Sequence, residues 1–119
     1  MKRIVIFDDD VDILEILTYL LTEKGWEVHT RTTCNNILQI ISEKRPDVIL
    51  MDNWIPDTGG IKATQLLKAD PELSNIPVIY FSANNDVEIL SQKAGADAYI
   101  AKPFDLDELE KIVNQFALS

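Results

Sequence analysis

Val48-Ile49-Leu50-Met51-Asp52 is four apolar residues in a row, closed by an acid. A strand with one face in water alternates apolar and polar residues, whereas a strand covered on both faces reads as a continuous apolar run. This stretch therefore belongs inside a parallel sheet with helices on both sides. Ile4-Val5-Ile6-Phe7, followed by Asp8, and Pro77-Val78-Ile79-Tyr80-Phe81, followed by Ser82, have the same character. Glu27-Val28-His29-Thr30-Arg31 does not. It alternates and carries three ionisable side chains, as an edge strand can. Ala98-Tyr99-Ile100-Ala101 is a fifth short run, ended by Lys102-Pro103.

Helix-period segments separate these runs. Ile13, Leu14, Ile16, Leu17, Leu20 and Leu21 mark the first, stopped by Gly25. Ile37, Leu38, Ile40 and Ile41 mark the second, closed near Pro46. Pro56 to Gly60 reads as a loop, with Ile61, Leu66 and Leu67 on a third helix. Val87, Leu90 and Ala94 lie on a fourth, stopped at Gly95, and Leu106, Leu109, Ile112, Val113 and Phe116 form the stripe of a last one. Five β–α units in series predict a doubly wound α/β fold with a parallel sheet. A strand order of 3-2-1-4-5 would bury Glu27 to Arg31 and leave Val48 to Met51 at an edge. The order 2-1-3-4-5 does the reverse, so the expected fold is a flavodoxin-like (βα)5.

At 119 residues the chain is expected to be one domain, 1–119. Its 46% apolar and 26% charged residues are ordinary for a globular protein. Eleven Lys and Arg against twenty Asp and Glu give a net charge of -9. That balance weighs against a nucleic-acid or anionic-membrane surface, both of which need clustered positive charge. Cys34, the one cysteine, cannot form an internal disulfide. Met1-Lys2-Arg3 and the apolar run after it are too short for a signal peptide or a membrane span. The expected setting is the reducing cytoplasm.

In such a sheet ligands bind beyond the carboxyl ends of the strands, at the switch between the first and third. The sequence puts Asp8 and Asp9, Asp52, Ser82 and Lys102 there. Neighbouring strands lie roughly 4.8 Å apart, so three carboxylates would crowd one crevice. Like charges that close do not all ionise cheaply, and a hard divalent cation relieves them. Mg²⁺ suits such a site because it takes oxygen ligands and commonly bridges carboxylate to phosphate. A hydroxyl and an ammonium arriving beside it are what a phosphoryl group needs. Asp52, central among these groups, is the expected nucleophile, forming an aspartyl phosphate.

The segments Ile4 to Asp10, Val48 to Pro56, Val78 to Ala83 and Tyr99 to Phe104 resemble the receiver domain of bacterial two-component response regulators, in the CheY-like superfamily. The resemblance covers essentially the whole chain. It implies that Asp52 accepts a phosphoryl group from a sensor histidine kinase or a phosphotransfer protein. It also implies that Asp9, Asp52 and the backbone carbonyl of Trp54 ligate Mg²⁺, with Asp8 acting mainly through water. Lys102 would bind a phosphoryl oxygen, Ser82 would move toward it, and Tyr99 would rotate inward, altering the surface of the fourth helix, fifth strand and fifth helix. Lys102-Pro103 would be a cis peptide. The domain would be a switch rather than a turnover enzyme, supplying the catalytic groups only for its own phosphorylation and hydrolysis. A monomer or a phosphorylation-dependent homodimer is expected, either as a stand-alone regulator or as part of a longer one.

Two departures from the family pattern stand out. The loop after the third strand reads Ile55-Pro56-Asp57-Thr58-Gly59-Gly60, with Gly59 where an acidic helix cap is usual. Trp54 is bulky for its place, and its indole can only donate, so it is expected to shield the phosphoryl group while Asn84 retains some capacity to align a water.

Other readings are weaker. A haloacid-dehalogenase-type phosphatase needs Thr or Val where Asp12 stands, and a flavodoxin would not place Asp8-Asp9-Asp10 against a phosphate. No Gly-x4-Gly-Lys-Ser/Thr loop is present. A non-phosphorylated pseudo-receiver, acting only as a protein-binding adaptor, is the alternative from another class, and intact acids and lysine weigh against it. Asp10 is expected to cap the first helix, Ser82 is also a candidate cap for the fourth, His29 has no second ligand to share a metal, and Trp26 and Phe116 read as packing residues.

Overall fold

The structure, a computed structural model, describes residues 2–55, 58–83 and 85–117. Pro56 and Asp57 of the expected loop, and Asn84, lie outside the described residues. The elements alternate strictly: β1 (Arg3–Phe7), α1 (Val11–Glu23), β2 (Glu27–Arg31), α2 (Ile37–Lys44), β3 (Val48–Asp52), α3 (Gly60–Ala69), β4 (Val78–Ser82), α4 (Val87–Ala94), β5 (Ala98–Ala101) and α5 (Leu106–Ala117). All strand pairs are parallel and the order is β2-β1-β3-β4-β5, as the contrast between Glu27–Arg31 and Val48–Asp52 predicts.

Both faces of the sheet are covered. Val5, Phe7, Ile49, Met51, Val78 and Tyr80 point to one face, against α2, α3 and α4. Ile4, Ile6, Leu50, Ile79, Phe81 and Ile100 point to the other, against α1 and α5. Strand alternation thus splits each apolar run between two cores. Fully burying one such side chain stabilises the fold by roughly 1.5–3 kcal/mol. Trp26 and Phe116 pack against the second core, as expected. The helical stripes are narrower in space than in sequence: Ile16, Leu38, Leu66 and Leu106 lie on exposed flanks.

Local chemistry sets the helix ends. The Asp10 side chain accepts from the Asp12 and Ile13 amides at the start of α1, satisfying two of the orphan donors there. Helix α1 stops at Lys24 and Gly25, the glycine at φ 93°. Helix α2 ends at Lys44, two residues before Pro46, with Arg45 in the left-handed region. Ser82 ends β4 and is not the cap of α4, whose N-cap position is Asp86. His29 bonds the Glu27 carboxylate, which also holds Arg3, so it ties edge strand β2 to β1.

Candidate functional site

Strands β1 and β3 lie side by side, and each ends in an acid that turns the same way. Asp8 Oδ1 accepts from the Asp10 amide at 2.9 Å, and its Oδ2 faces Lys102 Nζ at 2.9 Å. Asp52 repeats the pattern: Oδ2 accepts from the Trp54 amide at 3.1 Å, and Oδ1 faces Lys102 Nζ at 2.8 Å. Each carboxylate is steadied by the amide two residues on, an Asx turn. Lys102 arrives from the end of β5, where its own amide donates to Ser82 O at 2.9 Å. Its ammonium also lies 4.4 Å from the Phe81 ring centre. The Lys102–Pro103 peptide is cis, as expected.

Asp8 and Asp52 are buried, while Asp9 beside them is exposed. Burial pushes the Asp52 carboxyl above its ordinary range; Lys102 pulls it back and the Asp8 charge pushes it further up, with a net rise. Burial by itself would lower the Lys102 ammonium, but its hydrogen bonds to Asp52 and Asp8 outweigh that, and its pKa is raised. Two buried carboxylates thus share one ammonium.

The donor chemistry fits Mg²⁺. Asp8, Asp9 and Asp52 each offer one carboxylate oxygen, and these all lie within 4.8 Å of one another. The set is all hard oxygen, and Asp9 opens it to water, which Mg²⁺ prefers to retain.

Glycine makes the approach of α3 possible. A Cβ on Gly60 would stand 2.1 Å from the Asp52 carbonyl oxygen. The Gly60 amide instead donates to Asn53 O at 3.1 Å, pinning the start of α3 to the end of β3. Gly59 occupies the N-cap at φ 81° without any side-chain cap, as its departure from the family pattern implies.

The outer groups are exposed. Trp54 is 77% exposed, so its bulk is accommodated by facing solvent. Tyr99 is 41% exposed, and a hydrogen bond to Glu88 on α4 raises its phenol. Buried Ser82 ends β4, paired with Ala101 of β5 and next to the Lys102 main chain. Sequence reasoning missed one contact: the buried Tyr80 hydroxyl donates to Asn53 Oδ1 across 27 positions of chain. The available signal was a phenol in an otherwise apolar buried run, since such a group needs a partner.

The response regulator receiver domain profile matches residues 4–114. The chain belongs to that family. A receiver domain is a signalling domain of two-component response regulators rather than a classical enzyme. Among curated relatives, the chain is 34% identical over 110 residues to the DNA-binding response regulator MtrA of Mycobacterium tuberculosis, covering 91% of this chain and 47% of that one. It is 34% identical to the regulatory protein AtoC of Escherichia coli over 97% of this chain and 25% of that protein. The receiver domain thus spans about half the length of MtrA, and less of AtoC. Among solved structures, a Francisella response regulator receiver domain superposes with a TM-score of 0.88 at 30% identity, covering 99% of this chain and 98% of that one. The receiver domain of a Pseudomonas aeruginosa sensor histidine kinase, solved with a magnesium ion coordinated in its active-site cleft, superposes with a TM-score of 0.90 at 28% identity, covering 99% and 98%. Among the described residues, no helix of this receiver domain is long and apolar enough to cross a membrane.

Proposed function

We propose that this receiver domain is a phosphorylation-driven switch in which Asp52 accepts a phosphoryl group from a phosphohistidine on a kinase or phosphotransfer protein. The observation that carries the reading is the single ammonium of Lys102 set between Asp8 and Asp52 at 2.9 and 2.8 Å, with a third carboxylate alongside. In the transfer, an Asp52 carboxylate oxygen attacks phosphorus and a P–O bond forms. The P–N bond to the donor imidazole breaks, and its electron pair returns to the ring nitrogen. Lys102 follows the charge from Asp52 Oδ1 to a phosphoryl oxygen, and the Ser82 hydroxyl donates to another. Asp9, Asp52 and the Trp54 carbonyl would hold Mg²⁺, with Asp8 acting mainly through water. When bound, the ion neutralises the carboxylates and charge on the transferring group.

Movement of Ser82 toward the phosphoryl group opens space beside β5. Tyr99, at present tied to Glu88, then turns inward and the α4-β5-α5 surface changes. An open apolar groove of about 420 Å³ lined by Ile13, Ile16, Pro103 and Phe104 adjoins Lys102, and suits a protein donor that must bring its phosphohistidine to the cleft.

Titration with beryllofluoride tests the reading. Saturable binding that needs Mg²⁺ and is lost in Asp52→Asn is expected. Absence of binding in the wild type would favour the pseudo-receiver adaptor.

A further inference from the structure

The segment just after Asp52 is held from several sides. The Asn53 amide donates to Phe81 O at 3.2 Å, and its carbonyl accepts from Gly60 at 3.1 Å. Its side-chain oxygen accepts from Tyr80, a residue with no solvent exposure on the interior strand β4. One residue further, the Trp54 amide holds Asp52 Oδ2 at 3.1 Å. The main chain that orients the Asp52 carboxylate therefore hangs on Asn53, whose side chain is anchored from beneath by Tyr80. Burial first, and then the Asp52 charge, push the Tyr80 phenol up, so the hydroxyl keeps the proton it donates.

We infer that Tyr80 is a positioning residue for the cation site, acting through Asn53 on the Trp54 amide and hence on the Asp52 carboxylate. The inference rests on the Mg²⁺ reading proposed above and extends it to a residue that never touches the ion. Tyr80 reaches the site by a route distinct from that of Lys102, which grips the other carboxylate oxygen. A purely structural tyrosine would fill the space between the sheet and its helices equally well without its hydroxyl.

The test is a Mg²⁺ titration of the ¹⁵N-labelled chain, followed by the amide peaks of Asp9 and Trp54, in wild type, Tyr80→Phe, Asn53→Ala and the double variant. Melting in EDTA is measured alongside, because a structural role would lower the melting temperature without moving the Mg²⁺ dissociation constant of the folded protein. Each single variant should bind Mg²⁺ about tenfold more weakly, as loss of a group supporting a ligand typically does. The double variant should be no weaker than the weaker single, since both break one route. Wild-type affinity in Tyr80→Phe would overturn the inference, as would effects that multiply in the double variant. A wild type whose peaks do not respond to Mg²⁺ would overturn the metal reading itself, and the inference with it.

Discussion

Two lysines stand at opposite ends of the sheet, and they are used differently. At the ends where strands begin, Lys68 on α3 donates to Ser74 O at 3.1 Å, Ile76 O at 3.0 Å and Asp97 Oδ2 at 2.6 Å. All three ammonium hydrogens have a partner, one carboxylate meets one cation, and Asp97 also accepts from the Val78 amide at 2.8 Å. At the ends where strands finish, Lys102 meets Asp8 and Asp52, with Asp9 left over. The first site has its charges matched and the ammonium's hydrogen bonds complete. The second holds excess negative charge at a place open to solvent through Asp9. A site that only tied elements together would resemble the first. On the function proposed above, the surplus at the second is the charge that a bound cation would neutralise.

The largest expected effect comes from the backbone beneath the open site. Gly60→Ala would drive a methyl against the Asp52 carbonyl, where a Cβ stands at 2.1 Å. It should cost about 3 kcal/mol in urea unfolding and weaken Mg²⁺ binding together. A loss of stability with unaltered Mg²⁺ affinity would mean that α3 can move without disturbing Asp52.

The two lysines can be compared directly. Lys68→Met and Lys102→Met should each cost roughly 2 kcal/mol in EDTA, because each strips a charged group of its hydrogen-bonded partner. Mg²⁺ at millimolar concentration should restore part of the loss in Lys102→Met, where the orphaned carboxylates form the cation site, and none of it in Lys68→Met. Equal rescue in both variants, or in neither, would erase the distinction between the two ends.

A smaller effect of opposite sign is expected at Asp52. Its carboxyl binds a proton more tightly in the folded chain than its ordinary pKa of 3.8 implies. An acid with a raised folded pKa stabilises the fold at low pH, and that contribution is lost as the pH rises through the folded value. In EDTA, the wild type should therefore lose stability relative to Asp52→Asn as the pH rises from 3.8 through the folded value. At neutral pH the variant should be the more stable of the two. Mg²⁺ should reverse the order by binding the wild type more tightly. A wild type more stable than Asp52→Asn in EDTA at neutral pH would show that Lys102 already balances the cluster.

Much of this was legible in the chain. The unbroken apolar run of Val48 to Met51 and the alternation of Glu27 to Arg31 determined the strand order, because burial on two faces or one leaves a different period. Asp8, Asp9, Asp52 and Lys102 stand out in the sequence by their places at strand ends, and the fold brings those four together. What escaped were contacts that no period encodes. Tyr80 reads as one more residue of a buried strand, and nothing in the sequence singles out Lys68, because their partners lie elsewhere in the chain. Ile16 and Leu66 fit the helical spacing yet face outward, since that spacing also counts residues on the flank of a stripe.

The most direct test is to locate the phosphoryl group. The protein is incubated with acetyl phosphate and Mg²⁺, reduced with borohydride to trap any acyl phosphate, and mapped by peptide mass spectrometry. The account predicts one modified residue, Asp52, with modification lost in EDTA and in Asp52→Asn. Modification of Asp8 or Asp9 instead, or equal modification of Asp52→Asn, would contradict it.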